Sequence, residues 1–211
     1  MTRSTPDARI LPMPKLSPAA RARRIKLLLF DVDGVLTDGK LFFIPLATTS
    51  QPDTTRTSPS MFEFKGFHAH DGASISLARL GGVRTGLITK RNSESVAARA
   101  RDLKLEYVYQ GVDDKRACFD QIVQKAGLKP EEAAFVGDDV IDLPPMRAAG
   151  LAIAVKNARA EVKREAHYTT PHAGGDGGLR DAVEFILKAQ GSFKRVVEEY
   201  IRGNGSKQGS Q

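Results

Sequence analysis

The sequence predicts an α/β protein built on a doubly wound parallel sheet, and three observations lead there. First, IKLLLF (25–30) is a continuous apolar run that ends abruptly in acid, as a strand buried on both faces of a parallel sheet does. Second, the pattern recurs: GVRTGLI (82–88), LEYVYQ (105–110), AAFVG (133–137) and LAIAV (151–155) are short apolar runs. Third, helical patterns separate them, namely SISLARLG, SESVAARARDL, FDQIVQKAG and LPPMRAAG. Alternation of this kind makes βαβ units.

Other segments are read around that frame. Residues 1–24 are expected to be a flexible basic arm, within which Ser17-Pro18 is suited to cap a short helix. The main body of the chain runs over 25–191. Residues 40–67 interrupt the alternation with KLFFIP and MFEFKGF, a β-hairpin extension whose 46–60 loop is rich in Thr, Ser and Pro. LRDAVEFILKAQG closes the body, and 192–211 form a C-terminal tail that ends in Gly and Ser.

The 211 residues suit one domain with a buried core. No apolar run approaches the ~20 residues of a membrane span, and the basic, Pro-rich start lacks the apolar core of a secretory signal. The single Cys118 sits in a helical pattern as a buried hydrophobe, which suits a reducing cytoplasm. Net charge is +7. Residues 1–24 hold six Lys/Arg against one Asp, and residues 189–211 hold four against two Glu, which leaves 22 of each sign between. The excess lies in the ends, so no basic face follows a nucleic-acid backbone.

Ligands of such folds bind at the carboxyl ends of the strands. Four of those ends carry related polar groups: DVDGVLTD (31–38), ITKRNS (88–93), QGVDDK (110–115) and VGDDVID (136–142). Carboxylates gathered at one edge repel, and a divalent cation removes that conflict. Mg²⁺ prefers oxygen ligands; Asp31 and Asp138 offer side chains, and Asp33 its carbonyl. Phosphoryl transfer needs a nucleophile, an acid for the leaving oxygen and positive charge around the phosphoryl oxygens. Asp31 fits the first, Asp33 the second, and Lys115 the third. Thr89 offers a hydroxyl and a following amide at an expected helix N-terminus. Asp139 and Asp142 support Lys115 or the metal's waters, or cap a helix.

These four segments together, in this order, resemble the haloacid dehalogenase superfamily, whose first motif is DxDGxxT/S. With only a hairpin between the first two motifs, the chain resembles its capless branch. Over about 25–191 it is similar to 3-deoxy-D-manno-octulosonate (KDO) 8-phosphate phosphatases, through LLLFDVDGVLTDGKLFF, HDGASI, VGDDVIDLPPM and LKAQG. The resemblance implies a Rossmann-like fold without a cap domain, and a cytoplasmic, Mg²⁺-dependent hydrolase of a phosphorylated sugar acid. It also implies a homotetramer with no nucleic-acid or membrane partner. Asp31 would be the nucleophile and Asp33 the acid/base, with Asp31, Asp33 and Asp138 on the metal. His68, His70, Asp71, Gly72, Arg91, Arg99 and Lys115 would meet substrate together with Asp33. An eight-residue spacing puts Arg91 and Arg99 on one helix face, where a solvated pair is the plain alternative.

Lys90 stands where that family has Gly in ITGR, Ser76 where an Arg often stands, and Asp176 where GGRGAxRE has its Arg. These departures leave a sialic-acid-type 9-phosphate as the rival substrate. A signalling receiver domain also has acids, a Thr and a Lys, but carries its phosphorylated Asp on a middle strand. A catalytically retired subunit is a third reading, set against the presence of every chemical group. Gly174, Gly175, Gly177 and Gly178 follow no first strand, so they are no dinucleotide fingerprint and read as a flexible hinge.

Overall fold

The structure, a computed structural model, describes residues 16–45 and 61–204. The 46–60 loop, the first fifteen residues and the last seven lie outside it. A six-stranded parallel sheet has the order β5-β4-β1-β6-β7-β8, with β1 Leu27–Phe30, β4 Arg84–Ile88, β5 Tyr107–Tyr109, β6 Ala133–Gly137, β7 Leu151–Ala154 and β8 Tyr168–Thr169. The five apolar runs are strands: AAFVG is β6 over its whole length, and the other four are trimmed at one end or both. Every β1 and β6 residue is buried, as a sheet covered on both faces requires.

Strand β1 lies between β4 and β6, with Phe30 opposite Leu87 on one side and Val136 on the other. The chain passes from β1 outward to β5, then returns across β1 to build the other half. The reversal opens a crevice at the carboxyl end of β1. Helices α2 Ala69–Leu80, α3 Glu94–Leu103, α4 Lys115–Lys125, α5 Leu143–Ala148, α6 Ala160–Glu165 and α7 Gly178–Ala189 complete the layers. The core is one cluster around Phe30, Phe119, Phe135 and the β1 leucines. Cys118 is buried within it, and burial pushes its thiol up to about 11.

The hairpin forms as β2 Phe42–Pro45 and β3 Met61–Phe64, antiparallel and separate from the main sheet. Its apolar side chains are exposed, among them Phe42, Phe43, Ile44, Met61, Phe62 and Phe64.

Both ends depart from the sequence reading. The arm does not run to residue 24: Ser17 caps α1 Pro18–Ala22, accepting from the Ala20 amide, and Ala22 is fully buried. Arg21 Nη1 donates to the Gly150 carbonyl at 2.8 Å. The tail begins later than 192, because α8 Phe193–Glu199 buries Val196 completely. Two short amphipathic turns were enough to dock because each carries one small apolar residue against α7 or α2. Among the described residues, no helix is long and apolar enough to cross a membrane.

Candidate active site

Asp31, Thr89 and Asp138 each follow the end of a strand, β1, β4 and β6, at the crevice. Directly after Asp31 the backbone leaves the strand in a sharp turn. Asp33 has φ −75° and ψ 112°, and Gly34 has φ 92°. That positive φ suits glycine, and a Cβ there would collide with the Asp138 carboxylate. The turn is tied by Thr37, whose amide and hydroxyl both donate to the Val32 carbonyl at 3.0 and 3.2 Å.

Three carboxylates, Asp31, Asp138 and Asp142, bring one oxygen each within 4.8 Å of one another. Lys115, buried at the first turn of α4, reaches into them. Its Nζ lies 2.9 Å from Asp31 Oδ1 and 2.7 Å from Asp142 Oδ1. The other oxygen of Asp142 accepts from the Asp138 amide at 3.0 Å and the Asp139 amide at 3.4 Å. Asp142 is fully buried and spent on these partners, so it fixes Lys115 and the turn after β6. Asp139 is exposed and caps the next turn by accepting from the Val140 amide at 2.7 Å. Of the two supporting acids, only Asp142 therefore touches Lys115.

The electrostatics mark the cluster as short of positive charge. Burial first, then the Asp142 charge, pushes the Asp31 carboxyl up to about 7 against the pull of Lys115. Burial, with Asp142, Asp31 and Asp139 beside it, pushes Asp138 up to about 7. Burial opposes the Lys115 ammonium, but Asp31 and Asp142 hold its pKa above that of an ordinary lysine. Asp138 Oδ1 is buried with no hydrogen-bond partner. An orphaned carboxylate oxygen beside a second raised carboxyl fits a hard divalent cation.

The remaining candidates separate. Thr89 is buried, but α3 begins only at Glu94. Its following amides belong to a loop, not to a helix N-terminus as expected. Gln110 holds that loop by accepting from the Ser93 amide at 2.9 Å. Arg91 lies in the same loop, so it shares no helix face with Arg99. Arg91 pairs with Glu63 at 2.5 Å and approaches Asp33 at 3.9 Å. Arg99 lies over the Phe67 ring at 5.8 Å, and its guanidinium occupies the space a Cβ on Gly72 would need.

His68 stands at the N-cap position of α2, its side chain making no capping bond, and His70 is in the first turn, with their rings edge to face at 4.9 Å. Asp71 is fully buried, and its carboxylate accepts from the Gly177 and Arg180 amides at 3.1 and 2.8 Å. It caps α7 and has no oxygen left to face a ligand. The glycines before α7 are correspondingly packed, not hinged: Gly174 abuts Gly34 and Gly175 abuts Thr37 and Asp38.

Sequence reasoning missed Lys65 and Glu63. Lys65 Nζ lies 2.5 Å from Asp33 Oδ1 and 3.4 Å from Glu63 Oε1, with its side chain 0% exposed. A lone Lys at the end of an aromatic strand reads as an edge charge. Only the approach of the hairpin to the β1 turn reveals where it goes.

The family of haloacid dehalogenase-like hydrolases matches residues 88–182. The chain is 35% identical to 3-deoxy-D-manno-octulosonate 8-phosphate phosphatase KdsC of Escherichia coli over 182 residues, 86% of this chain and 89% of the relative. It is similar in structure to a probable yrbi family phosphatase from Pseudomonas syringae, with TM-score 0.77, 38% identity, and 87% and 97% of the two chains covered. It is also similar to the 3-deoxy-D-manno-octulosonate 8-phosphate phosphatase of Moraxella catarrhalis, solved with a magnesium ion, a phosphate ion and a KDO molecule. That match has TM-score 0.76, 31% identity, and covers 87% of this chain and 97% of that one.

Proposed function

The chain belongs to the haloacid dehalogenase-like hydrolases as a phosphatase, and from that premise we propose that it hydrolyses a phosphorylated 2-keto sugar acid, KDO 8-phosphate, to KDO and phosphate. The observation that carries the chemistry is the buried Asp31 carboxylate, 2.9 Å from Lys115 and beside the orphaned oxygen of Asp138. The similarity to KdsC phosphatases supports the substrate.

Asp31 and Asp138 would hold Mg²⁺ by their side chains, with Asp33 contributing its carbonyl, and the bound ion would supply the positive charge that lets the Asp31 carboxylate meet a phosphate dianion. The Asp31 carboxylate attacks phosphorus as the bond to the sugar oxygen breaks, and Asp33 gives that oxygen its proton. The aspartyl-phosphate is then attacked by water, whose proton Asp33 takes, so phosphate leaves and Asp31 is restored. Lys115 holds the phosphoryl oxygens and Thr89 donates to them. Asp142 fixes Lys115. Arg91, Arg99, His68 and His70 meet the sugar acid, with Gly72 leaving room for Arg99. Asp71 serves by docking α7.

Phosphate release from KDO 8-phosphate, sialic acid 9-phosphate and common sugar phosphates, with Mg²⁺ or EDTA, tests this. KDO 8-phosphate is expected to lead in kcat/KM by about 10²-fold or more, the scale on which polar sites discriminate. If the 9-phosphate leads, Lys90, Ser76 and Asp176 become the residues that set specificity. Metal-dependent release from none would leave the retired subunit.

We propose further that the exposed apolar hairpin joins four copies, in keeping with a two-stranded ribbon that is marginal alone. Light scattering is expected to give the mass of four chains, and Phe62→Asp, placed opposite Ile44 in the hairpin, to lower it. A wild-type monomer would overturn the assembly.

A further inference from the structure

Asp33 stands outside the sheet. It lies in the turn between β1 and the hairpin, where no strand ladder fixes its backbone. Both of its carboxylate oxygens look toward cations that come from elsewhere: Oδ1 toward Lys65 at 2.5 Å, Oδ2 toward Arg91 at 3.9 Å. Glu63 closes the circuit, 3.4 Å from Lys65 and 2.5 Å from Arg91. Two carboxylates and two cations alternate in a ring. Two members, Glu63 and Lys65, come from the hairpin; the other two come from the loops after β1 and β4.

The four formal charges of the ring sum to zero and each member is held by its two neighbours, so Lys65 constrains where the Asp33 carboxylate points. The constraint is firm, because the Lys65 side chain is wholly buried. A buried ion pair cannot swing without stranding a charge. Displacements near 1 Å at a reacting group cost about 10²-fold in rate, so a clamp on the acid has a kinetic consequence.

We propose that Lys65, held by Glu63, is a positioning residue that aims the Asp33 carboxyl at the leaving-group oxygen, so that seating of the hairpin sets the proton-transfer step. The inference rests on the reading of Asp33 as the acid. It predicts a defect confined to substrates whose leaving oxygen needs a proton.

The test uses the full-length, Mg²⁺-loaded protein and aryl phosphates of similar size, from phenyl to 2,4-dinitrophenyl phosphate. A dinitrophenolate departs without a proton, whereas a phenolate needs one, and general acids contribute about 10²–10⁴-fold. Lys65→Met keeps the length of the side chain and removes its charge. It is expected to lower kcat/KM for phenyl phosphate at least about tenfold more than for the dinitrophenyl ester, steepening the dependence on leaving-group pKa. Glu63→Gln, which keeps Lys65, is expected to steepen it in the same direction by a smaller factor, and serves if Lys65→Met folds poorly. Asp33→Asn is the control for the premise. If Asp33→Asn steepens the dependence while both hairpin variants shift it in parallel or leave it unchanged, Lys65 is structural or binds substrate, and the proposal falls. If Asp33→Asn does not steepen it, the acid assignment fails first and this inference fails with it.

Discussion

Asp31→Asn is expected to lower kcat by about 10⁴–10⁶-fold, the scale of losing a nucleophile, while raising the melting temperature of the metal-free protein at pH 8. An amide of the same shape cannot form the acyl phosphate. The stability gain follows from the site's electrostatics. The folded carboxyl titrates at about 7 against an ordinary 3.8, so the folded state holds that proton more tightly than the unfolded chain. The resulting stabilisation is complete below 3.8 and lost as pH rises through about 7. At pH 8 the wild type carries a buried charge that its surroundings resist, and asparagine removes it. The gain should vanish near pH 4, where both proteins are neutral at this position. Initial rates and thermal melts in EDTA read both effects. A sizeable residual rate in a clean preparation would remove Asp31 as the nucleophile.

Mg²⁺ affinity is expected to weaken as pH falls below 7, with a proton displaced from each of two carboxyls. Asp31 and Asp138 both lie at about 7 without the ion, and only their ionised forms bind metal. Between pH 8 and 6 the apparent Kd should rise roughly 10- to 100-fold, since each displaced proton contributes up to tenfold per pH unit. The rise in melting temperature on adding Mg²⁺ should accordingly be larger at pH 8 than at pH 5.5. Titration calorimetry in buffers of different ionisation enthalpy counts the protons released. A Kd independent of pH over that range would mean that these two carboxyls do not hold the ion.

The architecture was legible because buried parallel strands write themselves as unbroken apolar runs. β1, β6 and β7 are such runs, while β4 opens with Arg84 and Thr85, and the acids that follow β1 and β6 sit where that rule places functional groups. β8 was not legible: two residues, Tyr168–Thr169, carry no periodicity. The first turn of α2, AHDG, was equally silent, since polar and small residues hide a helix whose Asp71 is buried against the start of α7. Asp71 looked like a ligand group because nothing local reveals that its partners are the amides of Gly177 and Arg180. Lys115, Asp142 and Asp31 could be grouped from the strand ends alone. Lys65 could not, because its partner lies across a hairpin whose placement only tertiary packing decides.

The central place of β1 also governs when the chain can first have a working site during synthesis. Asp31 emerges early, yet β1 lacks one hydrogen-bonded neighbour until β6 arrives with Asp138 behind it. Closure waits longer still, because Asp71 must find an amide 106 residues further along the chain. Contacts between such distant segments form slowly. Until β6 pairs with β1, Asp31 stands without Asp138, so the two carboxylates proposed to share an ion meet only when that long-range pairing forms.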